Sequence, residues 1–71
     1  MNNKFSWTRP YFGVSHLNFI KRGYQTTITE YPTFTEGYVL QGFKRLFEVS
    51  GDLNFVKSEL ERKSKELQIL A

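Results

Sequence analysis

A chain of 71 residues without cysteine makes one domain at most, and it excludes the disulfides and thiolate metal sites that staple many scaffolds of this size. Folding at this length removes only roughly 60% of the unfolded surface from water, so the seven Phe, four Tyr and one Trp must carry the core, at roughly 150–250 Å² each. The net charge of +3 is modest but uneven: Lys4, Arg9, Lys21 and Arg22 precede the first acid, Glu30, and every other acid follows it. No apolar run reaches the length of a signal peptide or a membrane helix, so a cytoplasmic protein with no membrane partner is expected.

The first segment reads as strand. Lys4, Ser6 and Thr8 alternate with Phe5, Trp7 and Arg9 in the period of a half-buried strand. Pro10 then removes a backbone donor and marks an edge or an end. After Gly13, residues 14–20 are apolar and aromatic enough for a second strand, and Lys21, Arg22 and Gly23 supply a turn. A short helix over residues 15–22 competes with that reading. Residues 24–31, rich in β-branched and aromatic side chains, form the clearest strand of the chain.

Pro32 stops this strand. Thr33 and Glu36 fit the spacing of a capping box, and Val39, Phe43, Leu46 and Phe47 recur at three- and four-residue intervals, which predicts a helix over residues 33–49. Gly37 and Gly42 weaken it by roughly 1 kcal/mol each relative to Ala. Gly51 suits a helix end and Asp52 an N-cap, so a second helix is expected over residues 52–69, with Leu53, Val56, Leu60, Leu67 and Leu70 along one stripe. Glu59 and Lys63, and Glu61 and Lys65, stand in the favoured i,i+4 order. The expected fold is therefore α+β: two or three short antiparallel strands over residues 4–31, packed against a C-terminal helical hairpin of residues 33–49 and 52–69, all in one domain of residues 1–71.

From Tyr24 onward, a strand closed by Pro32, a helix, the turn Ser50-Gly51-Asp52 and a second helix resemble the ribbon-helix-helix DNA-binding proteins. In that family strands of two chains pair and lie in the major groove. The resemblance implies a homodimer with Gln25, Thr27 or Thr29 facing bases.

Catalytic chemistry finds no footing in the residues. His16 is the sole histidine, and a zinc site without cysteine needs carboxylates that here are spread along helix surfaces. Ser15 adjoins His16, and neighbours on a strand point to opposite faces, which rules out the usual serine–histidine contact. The glycines never cluster into a phosphate-cradling loop. A non-enzymatic protein with no cofactor is expected, its catalytic and metal sites both empty sets.

Two readings compete for the basic, aromatic N-terminal part. In the first, Lys4, Arg9, Lys21 and Arg22 neutralise phosphates of DNA or RNA while aromatic rings stack on bases. The protein is then a small nucleic-acid-binding or regulatory protein that uses a basic sheet face, as a homodimer. In the second, Trp7, Tyr11, Phe12 and Tyr24 anchor a protein partner, as in a mobile-element-encoded inhibitor or a small subunit of a larger complex. Against both stands the economy of a small core, which draws Phe5, Trp7, Phe19, Ile28 and Tyr31 inside and leaves the bases as a solvated face.

Overall fold

The computed structural model describes residues 6–70. Five strands, β1 (Trp7–Tyr11), β2 (Val14–Leu17), β3 (Tyr24–Glu30), β4 (Thr35–Gln41) and β5 (Lys44–Gly51), precede one helix, α1 (Leu53–Glu66). The strands form an antiparallel meander in the order β1-β2-β3-β4-β5, and α1 lies across β3, β4 and β5 on one face. The class is α+β, but the sheet has five strands rather than two or three, and a single helix replaces the expected hairpin.

The correction falls on residues 33–49. That segment is strand β4, a turn, and most of β5. Its true period is two: Thr35, Gly37 and Val39 are buried, while Glu36, Tyr38 and Leu40 are only half-buried. The three- and four-residue spacing of Val39, Phe43, Leu46 and Phe47 suits a helix stripe equally well on paper, but it spans a turn in the folded chain. Gly42 has φ +62° at the first central position of a two-residue loop between Gln41 and Lys44, which face each other. Phe43 does not share that positive φ, as fits a type II′ hairpin turn. Thr33, whose hydroxyl belonged to the capping reading, is exposed in the β3–β4 turn, Thr35 is buried in β4, and the Tyr31 amide closes that turn on the Phe34 carbonyl at 2.8 Å. The ribbon-helix-helix resemblance falls with the missing helix. Gln25, Thr27 and Thr29 do share a face, yet Thr27 is buried.

The expected second helix forms as α1. Asp52 is its N-cap, with a carboxylate oxygen accepting from the Phe55 amide at 2.9 Å. Val56 and Leu60 meet Ile28, Val39 and Ile69 in the core, where each buried aliphatic contributes about 1.5–3 kcal/mol. Gly37 decides how closely helix and sheet approach: a Cβ there would stand 2.6 Å from both Leu60 and Val56. Ser64 takes the next position of the stripe, fully buried, with its hydroxyl 3.3 Å from that of Thr26. Two small hydroxyls satisfy each other there, where a single one would be left unpaired. Beyond α1 the chain folds back, and the Lys21 amide donates to the Ile69 carbonyl at 2.7 Å.

Trp7 fastens β1 to the helix, its indole N–H donating to Glu61 at 2.8 Å. The face away from α1 is open. Thr8, His16, Thr27, Tyr38 and Glu48 form one row across it, strand by strand, as expected for an antiparallel sheet with one solvated side. No helix among the described residues is long and apolar enough to cross a membrane.

Candidate nucleic-acid interface

In a meander, alternate turns gather at the same end of the sheet. The β2–β3 connection (residues 18–23) and the β4–β5 turn (residues 42–43) therefore neighbour one another, and the Gly42 amide donates to the Gly23 carbonyl at 3.0 Å. Across this end stand Lys21 and Arg22 from one connection and Lys44 from the other, all exposed. The two connections are in direct contact through the Gly42–Gly23 hydrogen bond. All three cations thus lie on connections that share one end of the sheet. Neither segment carries an acid between residues 18 and 23 or between 41 and 45. Among the described residues Lys21, Arg22 and Lys44 make no ion pair, whereas Arg9, Arg45, Arg62 and Lys63 all do.

Two phenylalanines project at the same end. Phe43, the tip of the β4–β5 turn, is fully exposed, and Phe19 is 70% exposed. Phe19 has φ +60°, a conformation rare for a bulky side chain. Strain of this kind, about 1–3 kcal/mol, gathers at ligand-binding positions. The local structural cause is visible as well: the turn at Phe19 swings Ile20 into its bridge with Leu70.

Of the other residues singled out from the sequence, Trp7 and Tyr24 lie towards this same end, paired with Leu17 and Gln41, but are engaged within the chain, and Tyr11 and Phe12 lie at the opposite one. Lys4 falls outside the described residues. Arg9 is half-exposed on β1 and ion-paired with Glu30, so its charge is met within the chain. Trp7 and Tyr24 pack against the core; the Trp7 indole is engaged by Glu61 and the Tyr24 hydroxyl accepts from Gln41 at 3.3 Å. Tyr11 and Phe12 stand free, 72% and 98% exposed, at the opposite end of the sheet. His16 is half-buried on the open face, its Nδ1 3.1 Å from the Thr27 hydroxyl. No group of three or more His, Asp or Glu among the described residues is placed to hold a metal ion.

The open face is not the cationic surface. Its Arg45 lies over the Tyr38 ring at 4.3 Å, within cation–π range, and between Glu48 at 3.1 Å and Glu36 at 3.6 Å. The hydrogen bond to Glu48, then the charges of Glu48 and Glu36, raise the Arg45 pKa above its ordinary value. With two acids to one base, this face repels a polyanion.

Lys21 and Arg22 are singled out by the sequence, whereas Phe43 is read there as part of a helix stripe, Lys44 is not singled out, and Phe19 is assigned to the core. The available signal was Gln41-Gly42-Phe43-Lys44, a glycine-led two-residue loop between alternating segments. Comparison with known proteins returns no family model, no curated protein and no solved structure that matches the chain.

Proposed function

We propose that this chain is a small non-enzymatic protein that binds single-stranded nucleic acid at the basic end of its sheet. The observation that carries this reading is the convergence of Lys21, Arg22 and Lys44, without carboxylate neighbours on their turns, beside the exposed rings of Phe43 and Phe19. The cations neutralise successive phosphates, and the Phe rings offer stacking surface to bases. A duplex hides its base faces within the stack, so projecting phenylalanines favour a single strand. The open face is flanked by acids, and the exposed side of α1 mixes its bases with Glu59, Glu61 and Glu66, so neither offers the major groove an unopposed cationic element. Lys21 and Arg22 are the phosphate contacts expected from the sequence; Lys44 joins them, and Arg9 does not. On this reading we also propose a regulatory role in the cytoplasm.

The test is the salt dependence of binding to a fluorescein-labelled oligo(dT) or oligo(U), followed by anisotropy. Three phosphate contacts give a slope of about −2 in log affinity against log salt for a single strand. Replacing Lys21, Arg22 and Lys44 by Ala should flatten that slope towards zero and weaken binding at low salt, with the fold intact by circular dichroism. A slope unchanged by the triple substitution, or no binding by the parent protein at low salt, rejects the proposal.

A further inference from the structure

The other end of the sheet collects the β1–β2 and β3–β4 turns, and its chemistry is different. Tyr11 and Phe12 from the first turn stand with Tyr31 and Phe34 from the second, exposed by 72%, 98%, 46% and 47%. The two turns are tied together, since the Glu30 amide donates to the Gly13 carbonyl at 2.7 Å. Tyr31 and Phe34 stack with centroids 4.9 Å apart. Between the turns lies a cleft of about 270 Å³ lined by Arg9, Phe12, Gly13, Glu30, Tyr31 and Pro32.

We propose that this aromatic end pairs with the same end of a second copy, Phe12 of each chain entering the cleft of the other. Three observations commit the surface to a second copy. The first is area: the four exposed aromatics offer roughly 500 Å² at about 200 Å² for a whole side chain. A symmetric pair therefore hides roughly 1,000 Å² from these residues alone, near the lower bound of specific interfaces. The second is shape. Phe12 projects almost completely beside a cleft of 270 Å³, and a cavity of about 150 Å³ already holds a benzene ring. Knob and hole lie side by side on one surface, as a two-fold contact requires.

The third observation is charge. Arg9 and Glu30, which line the cleft, already pair with each other, so a second copy meets no unpaired cation there. The basic end repels its own kind through Lys21, Arg22 and Lys44. Pairing is thereby directed to the aromatic end. It also supplies apolar burial that a 71-residue core lacks.

Sedimentation velocity from about 1 µM to 1 mM spans the affinities such an interface supports. The parent protein should pass from monomer to dimer within this range. Phe12→Asp should weaken the dimer at least 30-fold, as expected for loss of an aromatic anchor of about 2 kcal/mol or more. Its melting temperature as a monomer should be unchanged, because the side chain touches little within its own chain. Phe43→Asp, at the basic end, should leave the dimer intact. A parent protein monomeric throughout, a dimer indifferent to Phe12→Asp, a dimer broken instead by Phe43→Asp, or a monomer that uses Phe12 to hold a different protein each overturns the proposal. None of these outcomes bears on nucleic-acid binding, which is read by the salt slope.

Discussion

The two ends of the sheet are built by the same topology and both project aromatic rings, yet they differ in charge. At one end Lys21, Arg22 and Lys44 make no ion pair among the described residues and lie on turns without acids, and Phe43 and Phe19 project. At the other the nearby charges cancel as Arg9–Glu30, and Tyr11, Phe12, Tyr31 and Phe34 share an exposed surface. Between them Ile28, Val39, Val56, Leu60 and Ile69 fill the core. In an antiparallel meander the parity of a turn decides its end, so residues about 20 apart in sequence become neighbours while adjacent turns are separated by a strand's length. Function can therefore be placed on the ends without disturbing the middle.

The middle is where a single change should erase both ends at once. Gly37→Ala places a Cβ 2.6 Å from Leu60 and Val56, both of them fully buried in the core. Overpacking of this kind costs about 1–3 kcal/mol. In a domain of this size each kcal/mol lowers the melting temperature by about 4–8 °C. Oligonucleotide binding and self-association should fall together, in proportion to the folded fraction measured by urea titration. Loss of one property alone, or an unchanged urea midpoint, would mean that helix and sheet are not held at the distance Gly37 sets.

A reciprocal pair of substitutions sharpens the contrast from the outside. Phe43→Ala should weaken oligonucleotide binding by about 5- to 150-fold, the worth of one stacked base at roughly 1–3 kcal/mol, and should leave dimerisation alone. Phe12→Ala should do the reverse. Both side chains are almost fully exposed, so equal melting temperatures for the two variants and the parent are expected by calorimetry at concentrations where all are monomeric. If both variants impair the same property, the two ends do not act separately.

Legibility from sequence followed the locality of the signal. The strand over residues 24–31 and the helix after Asp52 were readable because β-branched residues, an N-cap and a stripe at 3.6-residue spacing each act within a few residues. They appear as β3 and α1. The β4–β5 hairpin was not readable in the same way. Thr33 and Glu36 satisfy a capping pattern as written, and the decision against it comes from β3, whose free edge takes β4 along seven paired residues from Tyr24–Gln41 to Glu30–Thr35. Gly37, counted as a weakness in a helix, is the position that lets α1 rest on the sheet. At the basic end, Lys21 and Arg22 were legible as turn residues, but Lys44 joins them only once the hairpin is known. The acid-free start of the chain proved a partial guide: Arg9 belongs to it and is nonetheless bound by Glu30 across the strands.

The smallest expected effect belongs to the C-terminal turn of α1, next to the basic end. Glu66 stands where the helix dipole disfavours a negative charge, yet its pKa is lowered, chiefly by the hydrogen bond from Lys63 and by that cation's charge, with a further part from Arg62. A carboxylate whose folded pKa lies below its unfolded one stabilises the fold above the unfolded value, and this contribution disappears as pH falls through the folded value. The melting temperature should therefore decline slightly more in the parent than in Glu66→Gln as pH is lowered through the carboxylate range. The difference should be small, because the pair is solvent-exposed and such pairs contribute little. Protonating Glu66 also releases Lys63, while Arg62 stays with Glu59, so oligonucleotide affinity should rise over the same interval in the parent and stay flatter in Glu66→Gln. Thermal melts and anisotropy titrations on one pH series measure both. Parallel curves for the two proteins would show that the Lys63–Glu66 contact, at 3.0 Å, leaves the field at this end unchanged.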